Sequence, residues 1–148
     1  MGAMLAAAFG SACYIFFLAT FVYAIGFVGD LPLIPKTIDG SGGDSFARAL
    51  IIDTLLLGLF AVQHSVMARR SFKQWWTQFI SPAIERSVFV LAASAALALI
   101  CWQWRPIDAI VWRVQTPLVV ALLRGIFWVG WSVLLISTFL INISSCSV

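Results

Sequence analysis

Residues 46 to 68 read FARALIIDTLLLGLFAVQHSVMA, and residues 69 to 82 continue RRSFKQWWTQFISP. The first stretch decides the fold. Its 23 residues would extend about 35 Å as a helix, at about 1.5 Å per residue, and a bilayer core is about 30 Å thick. It is therefore read as a membrane span. The second stretch mixes Arg69, Arg70 and Lys73 with Trp75 and Trp76. Such a mixture belongs at a membrane surface, where cations meet lipid phosphates and indoles sit among headgroups.

Working outward, three further apolar runs are long enough to cross. The first covers about residues 3–28 and ends at Gly29-Asp30, before the Pro-, Gly- and Asp-rich loop LPLIPKTIDGSGGDS. Another covers about 82–104 and opens at Ser81-Pro82, with the serine placed to cap and the proline at the first helical position. The last covers about 117–142, opens at Thr116-Pro117 and carries Trp128 and Trp131. The expectation is all-α: a polytopic transmembrane bundle of about four spans, 1–148 forming a single integral membrane domain. The alternating pattern of a β-barrel is absent.

Composition agrees. Of 148 residues, 62% are hydrophobic and 10% charged, with mean hydropathy +1.02, against roughly 45–50% apolar in soluble domains. No Lys/Arg-rich run or basic helix face is present, so the net charge of +3 does not point to nucleic acid. Cys13, Cys101 and Cys146 are odd in number and far apart. They make neither a disulfide framework nor, with one histidine, a zinc site, and no metal is expected. The N-terminal run lacks a basic flank and exceeds signal-peptide length, so it is read as a retained span. In LAASAALAL, Ala92 with Ala96 and Ser94 with Ala98 recur four apart. Small residues at that spacing let helices approach closely in lipid, and a homo-oligomer through such faces is one outcome. Arg69, Arg70, Lys73 and Arg86 lie in the connection between the second and third spans, which places that connection and the N-terminus in the cytoplasm.

The polar residues within spans are the candidate functional groups, because ionisable side chains there are costly. Asp53 and His64 are eleven apart, which brings His64 to within about 20° of Asp53 around the helix, so Asp53, Leu57, Phe60 and His64 share one face. Asp53 is read as a near-interface carboxylate that hydrates. His64, flanked by Gln63 and Ser65, is read as part of a polar ligand site. Glu85 in a first helical turn is explained by the helix dipole, and the functional alternative brings Glu85 and Arg86 to face His64. Arg124 is read as snorkelling or pairing structurally. Soluble cofactor motifs such as GxGxxG, a P-loop, HExxH or GxSxG are missing.

LFAVQHSVMARRSFKQWWTQFISPAIERSVFVLAASAALALICWQWRPI and STFLIN resemble the N-terminal half of the methanethiol S-methyltransferases, with QHSVMAR, PAIERS and WQWRPI the most specific parts. These are membrane enzymes among the NnrU-like and isoprenylcysteine carboxyl methyltransferase relatives. The resemblance implies a multi-pass protein of a bacterial inner (cytoplasmic) membrane, using S-adenosyl-L-methionine to convert methanethiol, a small thiol, to dimethyl sulfide. It places Gln63, His64, Glu85 and Arg86 at family motif positions. His64 is then a candidate base or orienting group, since imidazole exchanges protons near neutral pH. Glu85 is a weaker candidate, and Gln63, Ser65 and Arg86 are substrate-binding candidates. Such enzymes are expected to continue into further helices, with an Arg-His-Pro motif and acidic residues that hold the donor. This sequence instead finishes ISSCSV, the pattern expected of a truncated or frameshifted chain lacking its donor-binding half. The alternative is a non-catalytic NnrU-like accessory or packing subunit. A transporter has less support, because neither an inverted repeat nor a broken-helix pair is visible.

Overall fold

The apolar runs become long helices because backbone N–H and C=O groups in lipid must be satisfied within the segment itself. The computed structural model describes residues 2–40, 42–107, 109–110 and 113–144, without the side chains of 139 and 141–144. Its elements are α1 (Gly2–Val28), α2 (Phe46–Ala68), α3 (Arg70–Trp76), α4 (Pro82–Gln103) and α5 (Pro117–Ser144). Four of these, over Gly2–Val28, Phe46–Ala68, Pro82–Gln103 and Pro117–Thr138, are long and apolar enough to cross a membrane. The protein is an integral membrane protein, all-helical among the described residues. The helix α3 within the basic, Trp-rich stretch was not anticipated from sequence.

Local chemistry sets the helix ends. At α4 the Ser81 hydroxyl accepts the Ala83 N–H at 3.3 Å and Pro82 occupies the first turn, as the Ser-Pro pair predicts. At the end of α1, Leu31 donates its N–H to the Gly26 carbonyl at 3.0 Å, across Asp30 at φ 48°. This is the left-handed C-terminal cap usually given to glycine or asparagine; here an aspartate takes it, which its short polar side chain permits.

The chain divides into two units, Met1–Asp108 and Ala109–Val148. In the first, α4 packs against both α1 and α2. It runs parallel to α1, since Gly10 faces Ser87 at one end while the Phe27 and Trp104 rings meet edge-on, 6.1 Å apart, at the other. It runs antiparallel to α2, since His64 meets Phe89 and Asp53 reaches Arg105. The buried positions are mostly small or slim: Cys13, Ala24, Ala49, Cys101, Ser87 and Ser94, with Phe21, Phe27 and Ile100 as the larger members. A Cβ on Gly10 would stand 3.2 Å from the Ser87 hydroxyl oxygen, so glycine is what lets α1 approach α4 there. Leu5, Ile15, Val22, Leu55 and Val62 stay exposed, as a lipid-facing surface requires. Cys13 and Cys101 are free thiols; Cys146 lies outside the described residues.

The second unit is α5. Leu118, Leu122, Ile126, Val129 and Val133 are exposed along it, Arg124 is exposed too, and the Phe127 ring meets Trp128 and Trp131 edge-on. The expected ISSCSV tail falls largely on residues 145–148, outside the description.

Candidate functional site

Polar side chains gather at both ends of the first unit. At the end carrying α3, the last turns of α2 present Gln63, His64 and Ser65, and the first turns of α4 present Glu85, Arg86 and Phe89. The His64 ring lies between two phenyl rings. It stacks on Phe60, 5.6 Å away and 20° from parallel, and meets Phe89 at 5.3 Å. Phe60 precedes it by four residues on the same helix face, so this half of the arrangement follows from α-helical spacing. Lys73 of α3 sits 6.0 Å above Phe89 and 3.9 Å from the Glu85 carboxylate. His64, Phe89, Lys73 and Glu85 thus form one chain of contacts across three helices.

The other sequence candidates stand around it. Gln63 donates from Nε2 to the Met67 sulfur at 3.1 Å, and its Oε1 is buried without a hydrogen-bond partner. The Trp76 indole N–H is likewise buried and unpartnered. Both therefore have hydrogen-bonding capacity to offer a small polar ligand. Ser65 is exposed and Arg86 half-buried. Phe72, Trp75, Trp76 and Phe79 stack among themselves beside the site, giving α3 an aromatic side suited to the headgroup region. Phe89 and Lys73, which connect His64 to Glu85, escaped sequence reasoning. A phenylalanine in an apolar span and a lysine in a basic loop carry no distinguishing signal there.

The opposite end is built from the 29–45 loop and the residues after α4. Here the expectation for Asp53 is overturned. It does not hydrate at an interface; it is 4% exposed, and its Oδ1 accepts the Arg105 backbone N–H at 2.9 Å while Oδ2 has no partner. The physical reason is the exit from α4: Trp104 leaves helical geometry, and Asp53 supplies the acceptor that the next N–H lacks. The polar stripe on α2 is accordingly not one interior track. Leu57, between its two ends, is 50% exposed.

Around Asp53 the loop end is densely tied. Asp44 pairs with Arg48 at 3.1 Å and with Arg105 at 3.4 Å. The Trp104 indole donates to the Ile38 carbonyl at 3.2 Å, Tyr23 donates to the Lys36 carbonyl at 3.4 Å, and the Lys36 ammonium donates to the Trp102 carbonyl. Burial pushes the Lys36 ammonium below its ordinary pKa, and the Arg105 charge pushes it further; Asp53 and Cys101 offset part of this. A Cβ on Gly42 would collide with the Pro106 carbonyl, which explains glycine in this part of GSGGD. No group of three metal-ligating side chains exists among the described residues.

Comparison with known proteins decides the kinship. Over 134 residues, 90% of its length, the chain is 51% identical to the methanethiol S-methyltransferase of Mycobacterium tuberculosis and 52% identical to methanethiol S-methyltransferase 1 of Bradyrhizobium diazoefficiens. The chain is similar to the methanethiol S-methyltransferases. It spans about half of those relatives, 54% and 47% of their lengths. Nurim of Bos taurus is also similar, 32% identical over 88 residues, or 53% of this chain and 33% of that protein. No family model and no solved structure matches. The stretch similar to the methanethiol S-methyltransferases is long enough to take in α2, α3 and α4 together, and hence the His64 arrangement as a whole.

Proposed function

We propose that the α3 end is the thiol side of a methyl-transfer site, in a membrane methyltransferase that uses S-adenosyl-L-methionine to convert methanethiol to dimethyl sulfide. The observation that carries this reading is the 51% identity to a methanethiol S-methyltransferase over 90% of the chain. The His64 arrangement at one membrane surface supports it. The task for the protein is to turn a weakly acidic thiol into a positioned thiolate, because the thiolate is the nucleophile. His64 takes the S–H proton, or orients the thiol if the proton leaves to water. Phe60 and Phe89 fix its ring and offer the apolar wall a methyl group prefers. Gln63, Ser65 and Arg86 line the thiol's approach, and Arg86 favours the anion. Lys73 holds Glu85, and Glu85 is the weaker base candidate because it is already paired.

S-adenosyl-L-methionine, when bound, supplies an electrophilic methyl group on a sulfonium. Glu85 is the only acid between residues 54 and 107 and it faces Lys73. Residues 54–107 therefore offer the donor no unpaired carboxylate. The setting we infer is a bacterial inner membrane with the α3 end cytoplasmic, on the basic charge of Arg69, Arg70, Lys73 and Arg86.

The test is methyl transfer from labelled donor to methanethiol in nanodiscs, run on this chain and on a full-length relative. Alanine at the His64 position of the relative should lower turnover by about 100-fold or more while membrane insertion is unchanged; unaltered turnover removes His64 from the reaction. Donor binding is measured alongside. Saturable binding by this chain would mean its helices suffice for the donor. No binding, with the relative active, would assign the reaction to the longer protein alone.

A further inference from the structure

The loop end holds a second concave site that the methyl-transfer reading does not use. A polar cavity of about 320 Å³ lies between the 35–44 loop and the residues after α4, with Lys36, Asp44, Trp104 and Arg105 on its walls. Beside it an apolar groove of about 510 Å³ runs between α1 and α4, floored by Ala19, Thr20, Ala98 and Cys101. Pro35 and Lys36 border both. Each volume falls in the range of small-ligand pockets, about 300–1,000 Å³. Together they present a charged compartment beside an apolar groove, with Pro35 and Lys36 common to both.

We infer that this end binds one anionic phospholipid, its phosphate between Lys36 and Arg105 and an acyl chain along the α1–α4 groove. Charge complementarity argues for the headgroup. An ammonium has three donors and Lys36 uses one, on the Trp102 carbonyl. Arg105 spends one guanidinium nitrogen on Asp44 while its side chain stays 40% exposed, which leaves guanidinium donors for an incoming oxyanion. The two cations also act on each other, since Arg105 is among the causes that depress the Lys36 pKa; an anion between them would relieve that repulsion. The groove argues for a lipid over a soluble phosphate. Its lining includes short side chains, Ala19 and Ala98 above all, and Ala19 is exposed on a helix long and apolar enough to cross a membrane.

The experiment is native mass spectrometry of the whole chain in neutral detergent, titrated with phosphatidylglycerol, phosphatidylcholine or inorganic phosphate. Phosphatidylglycerol should bind at lower concentration than phosphatidylcholine. Lys36→Gln should weaken it about fivefold, the effect of roughly one basic residue at a membrane surface, and Ala98→Phe should weaken it comparably by filling the groove. Arg69→Gln with Arg70→Gln, at the opposite end, should not. Equal uptake of the two lipids by the unaltered chain would overturn the inference, and this arm needs no variant to fold. Unchanged binding in Lys36→Gln would overturn it too. Inorganic phosphate that competes fully and ignores Ala98→Phe would identify a soluble oxyanion as the occupant in place of a lipid.

Discussion

At the α3 end, Lys73 and Glu85 approach to only 3.9 Å with the lysine side chain 45% exposed, whereas at the loop end Asp53 is 4% exposed and takes a backbone N–H at 2.9 Å. Charge is handled differently in the two places. Near the α3 end the groups remain adjustable, with an exposed imidazole against two phenyl rings and a long ion pair whose lysine faces outward. Around Asp53 the groups are locked by backbone bonds, a carboxylate shared between two arginines and a glycine pressed against Pro106. A site that must turn over a substrate is expected to resemble the first, and one that ties the helix ends together, or holds a resident ligand, the second.

This contrast can be broken most directly at Asp53. Asp53→Leu should destabilise the chain by roughly 1.5–3 kcal/mol in detergent unfolding, because the Arg105 N–H loses a charged acceptor. Asp53→Asn keeps an acceptor and sheds the buried charge, so it should be at least as stable as the parent. If leucine is tolerated as well as asparagine, the carboxylate does not hold this end together. Gly42→Ala comes next, at about 1–2 kcal/mol in the same assay, since its Cβ meets a backbone carbonyl that cannot simply swing away. A parent-like melting temperature would mean that the loop end yields more readily than its geometry implies.

Lys73→Gln sharpens the comparison from the other side. Breaking a long, half-exposed pair should change stability by less than about 1 kcal/mol, and a larger loss would show the α3 end to be as rigid as its counterpart. The smallest effect is expected at Asp30→Gly. Relief of its positive φ should stabilise by roughly 0.5 kcal/mol, and a clear loss of stability would mean that the aspartate side chain contributes to the cap.

How far the sequence carried this reading varies from residue to residue. The helices were legible because an apolar run about 20 residues long has few alternatives in a bilayer. The α4 start was legible because Ser-Pro has a local mechanism. Phe60 against His64 was legible too, from spacing alone. The fate of Asp53 was not: its partner is the backbone of Arg105, 52 residues away, and backbone N–H groups leave no mark in a sequence. The helix α3 was missed because seven residues are too few for periodicity to separate a helix from a basic surface loop.

By itself, then, the amino-acid order determined that the chain enters lipid, which segments cross and which residue types end them, since these depend on local composition and on the thickness of the bilayer. It also carried the resemblance to a methyltransferase family. The tertiary structure alone decided that α4 is the helix shared by α1 and α2, that Lys73 and Phe89 join His64 to Glu85, and that Lys36 and Arg105 flank a cavity opening toward a groove. Those outcomes depend on which small residues allow two helices to approach. That approach sets the distances between side chains far apart in the chain, and no local rule contains it.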